Sequence, residues 1–366
     1  MPAVSAITKV LVSGANGFIA VWVVKDLLEH GYAVRGTVRA ESKATHLLNL
    51  FKREAASGKF ELFIVSDITA PGAFDDAVKG IDAIAHTASP FHYKADDPSE
   101  IIDPAVKGTV GILESAMKYA GPQLKRIVVT SSGTAVYEPG ATDAKSTGVL
   151  NESSWNESSV TEVREKGRAA SQWAKYCASK TLAERAAWDF VEKHKSEISW
   201  DLTVLNPPYV FGPILHEVVA PDALNSSVAA FYEAIFTNHK TPAELAHTQA
   251  GWTDVHDVAR GHVLALEVPA AGGELDAVNE LKIPGVYAPV GSPGAGEDFQ
   301  YTTRLDNTKA RTVLGLEFRD KRATARDSVH DFCARGWVYT GIKEDESEDY
   351  AGMIEIERSK VQSVHA

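Results

Sequence analysis

Over its first 130 residues the chain alternates short apolar runs with amphipathic stretches. Lys9–Ser13 (KVLVS) is a β-branched run that ends at Gly14 and predicts a first strand. Gly17–His30 carries helical spacing and stops at Gly31. Strands are predicted next at Ala33–Val38, Phe60–Val65, Ile81–Thr87 and Arg126–Thr130. Between them, helices are predicted over Ser42–Ala56, Phe74–Lys79 and Pro98–Ala120. Strand–helix alternation in which the strands are apolar throughout predicts an α/β fold, a Rossmann-type doubly wound parallel sheet covered on both faces.

The pattern then changes. Glu138–Gly167 is rich in Gly, Ser, Thr, Asn and Glu and is expected to be a long surface excursion, not a core element. Helical periodicity returns over Ala170–His194, and Leu202–Leu205 predicts a sixth strand. Pro284–Gly296 has loop composition, whereas Asp306–Leu314 and Thr324–Trp337 have helical spacing. The expected organisation is a dinucleotide-binding domain over 1–210, its sheet completed by segments near 250–265. A smaller substrate-binding lobe follows over 211–340, and then an acidic tail over 341–366.

Composition narrows the possible functions. Of 366 residues, 44% are hydrophobic and 23% charged, which are ordinary globular values. A net charge of −12 repels phosphate backbones and anionic lipid, so neither nucleic acid nor membrane is expected as a partner. The two cysteines, Cys177 and Cys333, are far apart and form no metal-type pair; no metal is expected. Met1–Lys9 lacks the basic start and apolar run of a secretion signal, and the expectation is cytoplasmic. Monomer and homodimer are both open.

Candidate chemistry begins after the first strand. In Ser13-Gly14-Ala15-Asn16-Gly17-Phe18-Ile19-Ala20, Gly14 allows a tight turn and Gly17 lets backbone approach a diphosphate. The N–H groups opening the next helix then face its charge. Glycine spacing alone is a weak signal; the strand–turn–helix context is what makes it a dinucleotide loop. The second strand ends in Arg39 rather than an acid, with Lys43 four residues on. A planar guanidinium fork and a second cation suit a 2′-phosphate, so NADP(H) is expected; the alternative is a solvated basic pair beside Glu41. Asp67 and Ile68, after the third strand, are placed to meet an adenine, or form a simple capped turn.

A second constellation lies farther along. Tyr176 and Lys180 are four apart in a predicted helix and share a face. An ammonium beside a phenol stabilises the phenolate and is expected to lower the ordinary pKa of about 10. Tyr176 is then a candidate proton donor to a carbonyl oxygen. The strand-five end, Thr130-Ser131-Ser132, supplies a hydroxyl that can hold that oxygen; Ser132 is the candidate and Ser131 the nearby alternative. Taken alone, the helical pair is a common surface pattern and the serine a common strand-end cap.

With these residues in place the chain resembles the extended short-chain dehydrogenase/reductase superfamily, within it the dihydroflavonol-4-reductase-like group. There it is most similar to fungal NADPH-dependent aldehyde, ketone and methylglyoxal reductases. The carrying segments are Val12–Ala20, Leu27–Arg39, His86–Phe91, Asp103–Ala116, Val128–Tyr137, Tyr176–Arg185 and Leu205–Pro213, extended by Trp252–Leu266 and Asp306–Gly315. Coverage runs from about Lys9 to Trp337. The resemblance implies an NADPH-dependent reductase of small-molecule carbonyls with Ser132, Tyr176 and Lys180 as catalytic group and Arg39 and Lys43 on the 2′-phosphate. It implies Thr87, Ala88, Ser89 and Thr130 beside the cofactor, Pro207 and Val210 under the nicotinamide, and Ser227 as a weaker cofactor contact. Phe91, Tyr137 and Tyr209 fall where the group lines its substrate pocket, with core packing as the alternative for each.

Three features depart from the group. Val21-Trp22 stands where a small polar residue and a histidine are usual, the 138–167 excursion is long, and the acidic tail is atypical. In the Trp252–Leu266 segment, Asp257 is expected to cap a helix with His256 as a packed or exposed neighbour. Two other functions fit a Rossmann scaffold: a nucleotide-sugar epimerase or dehydratase retaining NAD, and a non-catalytic cofactor sensor. Arg39 argues against the first, and retention of the serine, tyrosine and lysine argues against the second.

Overall fold

The computed structural model describes residues 8–89, 95–137, 148–236, 251–271, 273–275 and 303–337. In chain order the described strands are β1 (Lys9–Ser13), β2 (Ala33–Val38), β3 (Phe60–Ile64), β4 (Ala83–His86), β5 (Arg126–Thr130), β6 (Gly148–Leu150), β7 (Asp201–Leu205), β8 (Tyr209–Phe211), β9 (Trp252–Asp254), β10 (Gly273–Leu275) and β11 (Thr303–Leu305). The described helices are α1 (Phe18–Glu29), α2 (Ala44–Leu50), α3 (Lys52–Ala56), α4 (Ser99–Ser115), α5 (Glu157–Lys166), α6 (Gln172–His194), α7 (Ser226–Phe236), α8 (Val255–Glu267), α9 (Thr308–Thr312) and α10 (Lys321–Ala334).

The apolar runs pair into one parallel sheet of order β3-β2-β1-β4-β5-β7-β10. Alternate side chains along each strand enter opposite cores. Val10, Val12, Ala83, Ala85 and Val128 join the layer formed with α1 and α8. Leu11, Ile84, Ile127 and Val129 join the layer formed with α4 and α6. Burial on both faces explains why these strands read as continuous apolar runs. Strand order reverses between β1 and β4, which opens a crevice at the carboxyl ends of those strands.

At the other end of the sheet, Arg126 opens β5 and is 1% exposed. It donates to both carboxylate oxygens of Asp201 at 2.6 and 2.7 Å, and to the carbonyls of Ala265, Val268 and Pro269. Every N–H of the guanidinium is thereby engaged, which is what permits a buried charge.

Four local expectations change. Ser42–Ala56 is not one helix but a short turn followed by α2 and α3, interrupted at Phe51, whose buried ring packs edge-on against Phe60. Phe74–Lys79 forms successive turns instead of a helix; six residues are too few to offset nucleation, and Asp75 is tied to α4 by the Ser115 hydroxyl at 2.7 Å. Residues 250–265, expected to complete the sheet, give β9, which pairs with β8, and α8; the strand beside β7 is β10. The 148–167 part of the excursion is structured, with β6 paired to β11 and α5 packed on α6; residues 138–147 lie outside the described set.

Replacing Arg126 by Met strands Asp201 and three carbonyls. Because Asp201 is itself half exposed, the loss should fall near the low end for a broken buried pair, about 3 kcal/mol. Urea unfolding measures it directly, and an unchanged midpoint would show the clamp to be energetically neutral.

Candidate active site

The crevice is built from the ends of β1 and β4. Gly14 has φ 63°, and a Cβ there would come within 3.1 Å of Ala88, so both the turn and the close approach need glycine. The buried Ser13 hydroxyl accepts the Thr87 and Ala88 N–H groups at 3.0 Å each and meets His86 Nδ1 at 2.9 Å. With both lone pairs used, the serine donates its proton to Nδ1, which places the imidazole proton on Nε2. Burial pushes the His86 pKa down to about 3, with Lys180 adding to the shift, so the ring is neutral. This knot holds Thr87, Ala88 and Ser89 beside the Gly14–Gly17 loop.

The loop suits a dinucleotide diphosphate. Gly17 caps α1 without any side-chain hydrogen bond, and no acidic residue lies in the first turn, so the N–H groups of Phe18, Ile19 and Ala20 have no intrahelical acceptor and no acid competes for them. Asn16 and Ile19 are half-buried at its rim, while the Phe18 ring turns to the core. Arg39 is exposed and makes no hydrogen bond or ion pair with the described residues, although its field helps hold Asp67 below the usual carboxylate range. Lys43 is paired with Glu217 at 3.3 Å. The main cause of the Asp67 shift is local: its carboxylate accepts the Thr69 N–H at 2.8 Å and hydroxyl at 2.7 Å, the capped-turn alternative of the sequence. Ile68 packs on the α4 side of the core.

On the other flank, β5 delivers Ser131 and Ser132 to α6. The two serines separate cleanly. Ser131 donates to Glu184 and is spent there. Ser132 is buried, accepts the Thr134 N–H at 3.2 Å and hydroxyl at 3.0 Å, and hydrogen-bonds the Tyr176 phenol. Thr134 also reaches that phenol. Lys180, half-buried one turn along α6, has its Nζ 5.8 Å from the Tyr176 ring centroid and donates to Ser89 at 2.9 Å. The helix thus spans from the β5 turn to the β4 loop, and the three predicted members lie together.

Their electrostatics differ from expectation. Burial pushes Tyr176 up to about 12, and the Lys180 charge does not reverse that. Desolvation of the phenolate outweighs a cation that lies over the ring and is hydrogen-bonded elsewhere. Burial likewise pulls Lys180 down to about 8.

Three supporting residues went unread in the sequence. Glu184, 2% exposed and two turns from Tyr176, holds Ser131 and the Asn206 amide, the latter at 2.8 Å; burial raises its pKa to about 7. Asn156 is fully buried: its amide donates to the Thr134 carbonyl at 2.9 Å, and its Oδ1 caps α5. Lys175 is buried and donates to the carbonyls of Ala95, Asp96 and Arg168, fixing the start of α6. An Asn-Glu-Ser-Ser step opening a helix was the available signal for Asn156; Glu184 and Lys175 carried none.

The remaining predicted positions scatter more widely. The Thr130 hydroxyl is taken by His262 Nε2 at 2.7 Å, because His262 Nδ1 donates to the Val258 carbonyl. Pro207 is buried and accepts the Gly133 N–H at 2.9 Å, Val210 is buried, and Ser227 is half-buried on α7. Tyr209 is close enough for its charge to affect Tyr176, and its ring stacks on Phe211 at 6.2 Å. Tyr137 is half-buried beyond the β5 turn; Phe91 lies outside the described residues. Asp257 is not the cap of α8. Asp254 is, accepting the His256 N–H at 2.8 Å, while Asp257 is buried one turn inside and accepts the Arg319 N–H at 2.9 Å. His256 packs on Trp22 with ring centroids 4.1 Å apart.

A parallel sheet with a glycine loop at its switch point and a Ser–Tyr–Lys cluster on the next flank defines a short-chain dehydrogenase/reductase of the extended type. The model of the NAD dependent epimerase/dehydratase family matches residues 10–279, and the chain belongs to that family. It is 35% identical over 342 residues to the NADPH-dependent methylglyoxal reductase GRE2 of Saccharomyces cerevisiae, covering 87% of this chain and 96% of the relative. It is 35% identical over 352 residues to the ketoreductase azaE of Aspergillus niger, covering 88% and 96%. The crystal structure of yeast methylglyoxal/isovaleraldehyde reductase Gre2 complexed with NADPH superposes with a TM-score of 0.76 at 31% identity, over 90% of this chain and all of that one.

The raised Glu184 pKa sets a sign for stability against pH. The unfolded carboxyl titrates near 4.5 and the folded one near about 7, so the folded state holds the proton more tightly. The associated stability is complete below about pH 4.5 and is lost as pH rises through about 7, roughly 3 kcal/mol in all. Chemical unfolding across that window should show wild type falling relative to Glu184→Gln, which keeps the acceptor but cannot ionise. Parallel curves would mean that Glu184 titrates normally.

Proposed function

We propose that the chain is an NADPH-dependent carbonyl reductase that converts small aldehydes and ketones to alcohols. The observation that carries this reading is the placement of the Tyr176 phenol against the hydroxyls of Ser132 and Thr134, with Lys180 one turn along the same helix and its Nζ 5.8 Å from the ring centroid. The methylglyoxal reductase and ketoreductase relatives support it.

Bound NADPH supplies the hydride. Gly14, Asn16, Gly17, Phe18 and Ile19 would hold its diphosphate, and Arg39 and Lys43 its 2′-phosphate. Thr87, Ala88, Ser89, Pro207 and Val210 would flank the rest, with Ser227 farther out. Ser132 positions the carbonyl oxygen of the substrate, and Tyr176 delivers a proton to it. A phenol pushed up to about 12 stays protonated at neutral pH, the form that reduction consumes. Lys180, bonded to Ser89 beside the crevice, would hold the nicotinamide ribose. Tyr137 and Tyr209 are proposed as pocket walls. A second reading, an epimerase retaining NAD, would suit a carboxylate at the end of β2, where Arg39 stands. The proposed setting is cytosolic, consistent with two unpaired cysteines.

The test is loss of the reduced-nicotinamide absorbance with NADPH or NADH and a panel of aldehydes and ketones. NADPH-selective turnover is expected. Tyr176→Phe should lower kcat roughly 100- to 10,000-fold while NADPH still binds. Turnover that survives the substitution would remove Tyr176 from the role of proton donor.

A further inference from the structure

Residues 213–218, which follow β8, are tied down from four sides. From α1, the Trp22 indole donates to the Pro213 carbonyl at 3.0 Å, and Phe18 packs on His216 with ring centroids 5.5 Å apart. From α10 and the residue that ends it, Asp331 accepts the Ile214 N–H at 3.0 Å and Arg335 donates to the Ile214 carbonyl at 2.6 Å. From α2, His46 Nε2 donates to the Leu215 carbonyl at 2.7 Å. The fourth tie is an ion pair. Glu217 lies 3.3 Å from Lys43 in the turn before α2, and the two side chains are 47% and 51% exposed.

As an isolated surface pair this contact would contribute little. Its location gives it a second consequence. Lys43 is one of two cations proposed above for the 2′-phosphate, and the other, Arg39, has no ion-pair partner among the described residues. The strap therefore sets a carboxylate against half of the cationic site. An arriving phosphate must draw Lys43 away from Glu217 and then lie near a like charge. Both effects act on a ligand that carries a 2′-phosphate, and neither acts on one with a free 2′-hydroxyl.

We propose that Glu217 is a specificity-setting residue that loosens the hold on the 2′-phosphate and narrows the preference for NADPH over NADH. The five other contacts of residues 213–218 keep that carboxylate in place, so its effect is built into the resting fold. The inference rests on the reading of Lys43 as a phosphate ligand, and the experiment separates the two.

Equilibrium titrations of the full chain with NADPH and with NADH, followed by nicotinamide fluorescence, give four dissociation constants for wild type and Glu217→Gln. The glutamine variant should bind NADPH roughly two- to fivefold more tightly and NADH as before. The gain should shrink as salt rises and be smaller in a Lys43→Ala background, where only the like-charge effect is left. If Lys43→Ala weakens NADPH selectively but Glu217→Gln changes nothing, the role of Glu217 is overturned and the phosphate reading stands. If Glu217→Gln shifts NADPH and NADH equally, the residue acts through packing of the strap, and the proposal fails. If Lys43→Ala leaves the ratio of the two cofactors unchanged, the phosphate reading itself fails.

Discussion

A carboxyl group almost wholly out of water joins the two halves of the candidate site. Glu184 takes one hydrogen bond from the turn after β5, through Ser131, and one from the turn after β7, through Asn206. Asn206 also lies 3.4 Å from the Ser132 carbonyl. The side chain that does this stands on the same helix as Tyr176 and Lys180, so one rigid element fixes both the reactive groups and the floor beneath them. Burying an acid is unfavourable unless it is neutral or well paired. Here both routes are used, with two donors and a pKa near neutrality. The geometry of Ser132 is thus a consequence of where Glu184 sits. A looser floor would let the Ser132 hydroxyl drift from the phenol, and proton transfer is sensitive to such displacements.

The same low-dielectric setting governs the reacting groups. It raises Tyr176 and lowers Lys180, so each is driven toward its neutral form by solvent exclusion rather than by the other. The familiar picture of a lysine lowering a tyrosine pKa needs the ammonium near the phenol oxygen. In this chain the ammonium is over the ring and bonded to Ser89. Ser89 lies at the crevice rim, where cofactor would compete for the same contacts.

How much of this was legible in the sequence follows from range. The sheet was, because burial on both faces leaves continuous apolar runs and the connecting helices end at glycines. The Gly14–Gly17 loop and the Tyr176–Lys180 pair were, because each is local and repeats at a fixed spacing. Ser132 was preferred with Ser131 as the alternative, because neighbouring residues differ only in which side of the turn they face; in the fold Ser131 is bonded to Glu184, 53 residues away. Asn156 was hidden in a polar stretch that composition marks as surface. It is polar because it satisfies the Thr134 carbonyl inside the protein. Asp257 was misread for a related reason: Asp254, three residues earlier, ends β9 and already caps α8, and Asp257 instead serves Arg319 from another segment.

The Val21-Trp22 departure shows how a local change acquires a distant meaning. In sequence an indole early in α1 suggests altered packing of helix on sheet. In the fold Trp22 is buried, packs at a tilt against His256 and gives its N–H to the Pro213 carbonyl. A buried indole N–H needs an acceptor, and this one selects the backbone of a segment 191 residues away. His256 is held in turn by Asp254 at 2.6 Å, and Asp254 receives the Thr324 hydroxyl at 2.6 Å. The strap over α1 is consequently wired to the residues that seat α10 against α8. A smaller residue at position 22 would leave the Pro213 carbonyl and the face of His256 without their partner at once.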